Sequence, residues 1–261
     1  MKFDGKKLAI EIENEVRERV VRFYCKIKIV SFLVGDDPAS VLFTRLKQEA
    51  AKRVGIGFEV VRCGVGELPS QIEEWGKREE VTGVMVQLPV PELYGVNLEK
   101  IMSYIPLNKD VDGLRYPESG VLPPVVGAVF AVLEDIATVE KELWGRVFAV
   151  VGARGNVGRV IVDELNKRGV EVIAVGRERT REKLRNADVV ISCVGKEGLI
   201  VAGMVKPGSI VVDVGAPKGD VTKAAYAKAK ISVEVPGGVG PVTIAKLMQS
   251  ACDFPRVPFP F

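Results

Sequence analysis

Two rhythms of apolar and polar positions alternate along this chain. Residues 5–22 carry apolar side chains at helical spacing, whereas KIKIVSFLV (26–34) is apolar along most of its length and predicts a buried strand. The alternation continues with a helix over 38–54, strand FEVVRC (58–63), a helix over 68–79 and strand GVMVQL (83–88). Apolar strands separated by amphipathic helices predict a parallel sheet covered on both faces. The stretch YPESGVLPP (116–124) is rich in Pro and Gly and marks a boundary. Beyond it come a helix over 126–138, strand VFAVVG (147–152), a glycine turn, a helix over 155–168, strand VEVIAVG (170–176), and strands DVVISCVG (188–195) and SIVVDVG (209–215). This second half has the rhythm of a Rossmann unit, and TIAKLMQSAC (243–252) is an amphipathic closing helix.

The predicted fold class is therefore α/β with two domains. An N-terminal α/β catalytic domain spans 1–122, with a C-terminal helix over 242–261 packing back on it; a Rossmann-type dinucleotide-binding domain spans 123–241. The chain's 261 residues suit two such domains.

Composition narrows the chemistry. Hydrophobic residues make up 47% and charged residues 27%, a globular balance, and no apolar run is long enough to cross a bilayer. The N-terminal residues mix acids and bases into their apolar periodicity, unlike a signal peptide, so the expected location is the cytoplasm. A net charge of +3, evenly interspersed, argues against nucleic acid and suits an anionic small molecule. Histidine is absent, which removes the commonest general base and zinc ligand, and no metal site is expected. Cys25, Cys63, Cys193 and Cys252 are widely spaced within apolar runs and read as buried thiols.

Several turns carry candidate chemistry. The sequence Gly152-Ala153-Arg154-Gly155-Asn156-Val157-Gly158 follows a strand and opens a helix. A helix N-terminus with exposed N–H groups binds pyrophosphate, and glycines let the backbone come close; a ligand-free tight turn is the alternative. At the end of the next strand, where a carboxylate would select NAD, stands Gly176-Arg177-Glu178-Arg179; Arg177 and Arg154 favour the 2′-phosphate of NADP, and Glu178 keeps NAD open. Phe43 and Lys47 are four positions apart on one helix face, following VGDDPAS (34–40), and read either as a ring and an amine on a flat substrate or as a core ring beside a solvated lysine. Gln87 ends a strand in VQLPVP, and Asp112 lies in KDVDG (109–113), both at positions where open α/β sheets bind ligands. Pro236-Gly237-Gly238-Val239-Gly240-Pro241 is rigid and poor in side chains, so backbone can press against a ring there, and Thr243 follows it.

LVGDDPAS with Lys47, VQLPVP with Gln87, KDVDG with Asp112, the GxxxxVG turn and PGGVGP occur in one order, and this resembles the bifunctional methylenetetrahydrofolate dehydrogenase/cyclohydrolase family over nearly the whole chain. The resemblance implies oxidation of 5,10-methylenetetrahydrofolate with NADP, hydrolysis of the methenyl product to 10-formyltetrahydrofolate, a place in one-carbon metabolism and purine biosynthesis, a folate cleft between the domains and a homodimer. It implies that Lys47 is the catalytic lysine, that Gln87 tunes it and that Asp112 holds the pterin. Phe43, Pro236, Gly237 and Gly238 become substrate contacts. Gly152, Ala153, Arg154, Asn156, Val157, Gly158, Arg177, Ala216 and Thr243 become cofactor contacts.

The chain departs from the family in three places. Phe43 stands where tyrosine is usual, the segment SGVLPPVVGAV (119–129) is shortened, and Arg154 replaces a serine. The alternatives are a dehydrogenase acting without the cyclohydrolase step or on a related pterin, a shikimate-type dehydrogenase, and a non-catalytic folate- or nucleotide-binding protein.

Overall fold

The computed structural model describes residues 1–22, 26–90, 97–176 and 180–253, with the side chains of 180 and 181 left aside. The chain forms two compact units, one made of Ile10–Pro124 with residues from Ile244 onward, the other of Met1–Ala9 with Val125–Thr243.

In the first unit, helix α1 (Gly5–Arg22), which enters this unit at Ile10, precedes strand β1 (Lys28–Leu33), helix α2 (Pro38–Val54), strand β2 (Gly57–Arg62), helix α3 (Leu68–Lys77), strand β3 (Gly83–Val86) and the short helix α4 (Leu98–Met102). The strands form a parallel sheet in the order β2-β1-β3. Local signals set the bounds of α2. The Asp37 carboxylate accepts the Ser40 N–H at 2.8 Å, Pro38 occupies the first turn, and Gly55 ends the helix at φ +81°. Because β1 leads to β2 on one side while the chain after β3 returns beside β3 on the other, the connections from β1 and β3 leave in opposite directions, which opens a crevice at their carboxyl ends. On one face Val30, Phe32, Val84 and Val86 pack with Leu68, Ile72 and Trp75 of α3 into the core.

The second unit comprises α5 (Pro124–Val139), β4 (Phe148–Val151), α6 (Asn156–Lys167), β5 (Val172–Val175), α7 (Thr180–Arg185), β6 (Val189–Ser192), β7 (Ile210–Asp213), α8 (Lys223–Tyr226), β8 (Ile231–Val233) and the start of α9 (Val239–Asp253), whose residues from Ile244 onward belong to the first unit. Its five strands are parallel in the order β5-β4-β6-β7-β8, so the switch point lies between β4 and β6, where the glycine turn leaves β4. Strands β4, β6 and β7 are buried throughout, as their largely apolar sequences predict.

Three sequence expectations change. Residues 1–122 read as one domain, yet Met1–Ala9 belong to the second unit because the chain start runs along β8: the Ser232 N–H donates to the Met1 carbonyl and the Phe3 N–H to the Ser232 carbonyl, each at 2.9 Å. The short elements α4, α7, α8 and β8 were not expected, since three to six residues are too few to display a period. The cysteines are not fully buried: Cys63, Cys193 and Cys252 keep part of their surface, and Cys25 lies outside the described residues. Burial still acts on Cys193, whose thiol is pushed up to about 12. At the C-terminal end, Ser250 of α9 donates to the Val111 carbonyl at 2.8 Å and Arg19 of α1 pairs with Asp253 at 2.8 Å.

Candidate active site

Lys47 lies on the buried stripe of α2 with Ser40, Thr44, Ala50, Ala51 and Val54. Helical side chains lean toward the N-terminus, so its amine reaches back toward the carboxyl end of the sheet. There it donates to Gln87 Oε1 at 3.0 Å. Gln87 is the residue after β3, and its own N–H extends the ladder to the Phe32 carbonyl at 2.8 Å. Its side-chain Nε2 donates to the Leu88 carbonyl at 2.7 Å, which fixes the amide so that the oxygen faces the lysine.

Asp112 joins these two through a contact that no local pattern announces. Asp110 makes a parallel bridge to Val84, so the KDVDG segment runs beside β3 and brings Asp112 level with its end. Gly83 permits the approach, because a Cβ there would stand 2.6 Å from the Val111 side chain. The Asp110 carboxylate, fully buried, accepts the Leu114 and Arg115 N–H groups at 2.9 Å each and locks the turn. Lys47, Gln87 and Asp112 are thus gathered at the switch point between β1 and β3.

Desolvation governs the charges here. Burial lowers the Lys47 pKa from the ordinary lysine value, and the Asp112 charge only partly restores it. Burial raises Asp112 to about 6; Lys47 pulls it down and Asp110 pushes it up. Asp112 keeps some accessible surface although protein surrounds its carboxylate closely, as expected of a group lining a recess. A sign follows for ligand binding. The ionised carboxylate is the form that accepts hydrogen bonds from a ligand, so affinity for a folate analogue is expected to fall as pH drops through about 6, approaching tenfold per pH unit well below it. Fluorescence titration between pH 5 and 8 checks this, and a flat profile would contradict it.

Two further polar atoms share this helix face. The hydroxyls of Ser40 and Thr44 are buried, 2% and 4% exposed; that of Ser40 lies by the Asp37 carboxylate, which Ser40 holds below the usual carboxylate range through its N–H and hydroxyl, and that of Thr44 has no hydrogen-bond partner among the described residues. Both hydroxyls lie on the same buried stripe as the Lys47 amine, which gives this face of α2 a polar character. Phe43, one turn before Lys47, is half-buried and offers a ring without a hydroxyl.

The remaining candidate residues belong to the other unit. Gly152 turns at φ +86°, the Gly155 N–H donates to the Gly152 carbonyl at 2.8 Å, and a Cβ on Gly158 would stand 2.2 Å from that carbonyl oxygen. Gly155 opens α6 without a side-chain cap, so the first N–H groups stay available to an anion, and Arg154 and Asn156 stand exposed beside them. Ala153 and Val157 are half-buried in the same turn. These features fit a dinucleotide pyrophosphate. Gly158→Ala is expected to destabilise the protein by about 1–3 kcal/mol, since the clash is with backbone, and to weaken dinucleotide binding at least about tenfold; melting and cofactor titration check it. Arg177 lies outside the described residues.

Ala216 is exposed just past β7. In the PGGVGP turn Pro236 is exposed, and Gly237 sits at φ +103° with open space where a side chain would be, leaving bare backbone for a ligand. Gly238 is buried: a Cβ there would meet the Glu234 carbonyl at 2.7 Å. Helix α9 starts inside the motif, and the Thr243 hydroxyl bonds the Val239 carbonyl at 3.0 Å. Sequence reading missed Asp213, Asp220 and Tyr226, a buried polar chain beneath these loops. The available signal was an acid inside the apolar strand SIVVDVG.

The chain is similar to known proteins in sequence and in fold. The bifunctional protein FolD of Moorella thermoacetica is 35% identical over 97% of this chain and 98% of its own length. The crystal structure of the bifunctional FolD methylenetetrahydrofolate dehydrogenase/cyclohydrolase from Campylobacter jejuni is 30% identical, covers 97% of both chains and superposes with a TM-score of 0.87. The Trypanosoma brucei methylenetetrahydrofolate dehydrogenase-cyclohydrolase, solved with NADP cofactor and inhibitor, is 25% identical over 96% of this chain and 95% of its own, with a TM-score of 0.83. The profile of the tetrahydrofolate dehydrogenase/cyclohydrolase catalytic domain matches residues 3–112 and that of its NAD(P)-binding domain residues 126–256, so the chain belongs to the tetrahydrofolate dehydrogenase/cyclohydrolase family.

Proposed function

We propose that this protein oxidises 5,10-methylenetetrahydrofolate to the methenyl form with NADP and hydrolyses that product to 10-formyltetrahydrofolate. The observation that carries the reading is the meeting of Lys47, Gln87 and Asp112 at one switch point, with a lysine whose pKa burial lowers. NADP, when bound, accepts the hydride. The folate nitrogens stabilise the cation left on the one-carbon unit, so this step asks the protein for alignment rather than for a base. Asp112 anchors the pterin by accepting adjacent donors of its amino-pyrimidinone edge.

For hydrolysis, water must add to the methenyl carbon and lose a proton, after which the bond from that carbon to N5 breaks, N5 takes up a proton and the formyl group stays on N10. Lys47 in its neutral form takes that proton, and a cationic substrate alongside would lower its pKa further. Gln87 Oε1 accepts a hydrogen bond from either protonation state and aims the amine. In the other unit the open start of α6 and the glycine turn hold the pyrophosphate, exposed Arg154 favours the NADP phosphate, and the bare PGGVGP backbone with Ala216 and Thr243 borders the ligands.

The family homodimer would pair through the dinucleotide-binding unit, whose edge strand β5 leaves Ala174 exposed and Val172 and Ile173 half-buried; size-exclusion chromatography tests it. A cytoplasmic setting suits the free thiols of Cys63 and Cys193, and among the described residues no helix is long and apolar enough to cross a membrane.

The deciding assay follows absorbance of purified protein with 5,10-methylenetetrahydrofolate and NADP or NAD, then with preformed methenyltetrahydrofolate. Reduced cofactor together with accelerated loss of the methenyl band supports both activities. Reduced cofactor without accelerated loss supports the dehydrogenase alone, the reading that Phe43 in place of tyrosine favours. No reduced cofactor with either nucleotide overturns the proposal.

A further inference from the structure

A buried polar chain joins the carboxyl ends of three neighbouring strands. Asp220, fully buried, accepts from the Ser192 hydroxyl at 2.8 Å, the Val194 N–H at 2.8 Å and the Lys196 N–H at 2.7 Å, which ties down the loop after β6. Asp213, the last residue of β7 and also fully buried, accepts the N–H groups of Gly215 at 2.8 Å, Asp220 at 3.1 Å and Val221 at 2.9 Å. Both carboxylates are satisfied by backbone and hydroxyl donors. In a buried setting such donors replace water and make loop geometry depend on each carboxylate.

Tyr226, at the end of α8, carries this chain to the third strand. Its hydroxyl donates to Asp213 Oδ2 at 2.5 Å and accepts the Val235 N–H at 3.3 Å. Val235 immediately precedes PGGVGP, and Gly215 immediately precedes Ala216. A phenol can donate and accept at once, so this single oxygen links the two segments; phenylalanine would do neither. Room for it exists because position 219 is glycine: a Cβ there would stand 3.1 Å from the Tyr226 oxygen and 2.6 Å from Asp213 Oδ2.

We propose that Tyr226 is a positioning residue whose hydroxyl fastens the PGGVGP turn to the Gly215-Ala216 loop, so that both present their backbone as one rigid surface for the nicotinamide cofactor. The inference rests on the reading that Ala216 and Pro236–Gly238 border the ligands. Hydride transfer depends on mutual alignment of two bound molecules and feels this fastening strongly. Hydrolysis of the methenyl group depends on Lys47 in the other unit and feels it little at saturating folate.

The test is Tyr226→Phe, assayed for both activities alongside amide hydrogen exchange. The dehydrogenase kcat is expected to fall about tenfold, while the cyclohydrolase kcat on preformed methenyltetrahydrofolate stays within about twofold. A merely structural role would lower both rates in the same proportion, and that result, or no change in either, overturns the proposal. In the unsubstituted protein the Gly215 and Val235 amides are expected to open in one cooperative event, with protection of both rising together when NADP is added. Opening at clearly different free energies overturns the proposal even where the variant fails to fold. An unsubstituted protein that lacks dehydrogenase activity defeats the functional reading, whereas the exchange data still judge the Tyr226 link.

Discussion

Lys47→Met is expected to lower the cyclohydrolase rate about 10²–10⁴-fold while leaving most of the dehydrogenase rate, because a positioned proton acceptor contributes that much and hydride transfer needs none. Methionine keeps the unbranched stem in its buried stripe and removes only the amine, so the fold should survive. The amine's role depends on its neutral form. Burial moves the Lys47 pKa downward, so the neutral fraction at a given pH exceeds that of an ordinary lysine and grows as pH rises. The cyclohydrolase rate should therefore climb with pH through a midpoint below that of an ordinary lysine, and the slope should vanish in Lys47→Met. Stopped-flow absorbance of methenyltetrahydrofolate decay, corrected for the uncatalysed rate, measures both. A variant that loses both activities equally would mean that Lys47 holds substrate rather than moving a proton.

Asp112→Asn is expected to lower kcat/KM of both activities about 10²–10⁴-fold, since an amide replaces one acceptor of a paired, charge-assisted contact with a donor. The same variant should be more stable at pH 7. Asp112 has a folded-state value of about 6 against an ordinary 3.8, so between those values the folded chain binds more protons than the unfolded chain. Stability contributed by this group thus rises as pH falls from about 6 toward 3.8, and above that window the buried charge is a burden. Neutral asparagine removes it, for an expected gain of about 1–3 kcal/mol at pH 7. Urea unfolding at pH 7 and pH 4 tests the sign: the difference between the parent and variant proteins should shrink at the lower pH. Lost activity with lost stability would instead mark Asp112 as a structural residue.

These two residues differ in how far the sequence exposes them. Helix α2 announces itself through Asp37-Pro38 at its start and Gly55 past its end, and a helix placed over 38–54 coincides with Pro38–Val54. Lys47 on its apolar face is therefore legible as an odd charge in a buried stripe. Asp112 is legible only as an acid in a turn, because its place depends on the Val84–Asp110 bridge, a pairing between distant residues. Tyr226 looks like part of an Ala/Lys-rich surface helix, AAYAKAK, until the structure shows its hydroxyl on Asp213. The short strand β8 was hidden for a similar reason: its three residues have no period of their own, and the chain start that pairs along it is the other end of the sequence.

The sequence alone determined the order of the longer helices and strands, the parallel α/β class and the glycine turns, because periodicity, capping and backbone freedom act within a few residues of one another. Tertiary structure decided which charges share a site and how they titrate. The Lys47–Gln87 hydrogen bond, the raised Asp112 carboxyl and the Asp213–Tyr226–Val235 chain all require strands to be set side by side and water to be withdrawn, and both follow from packing between residues that sequence spacing leaves unrelated.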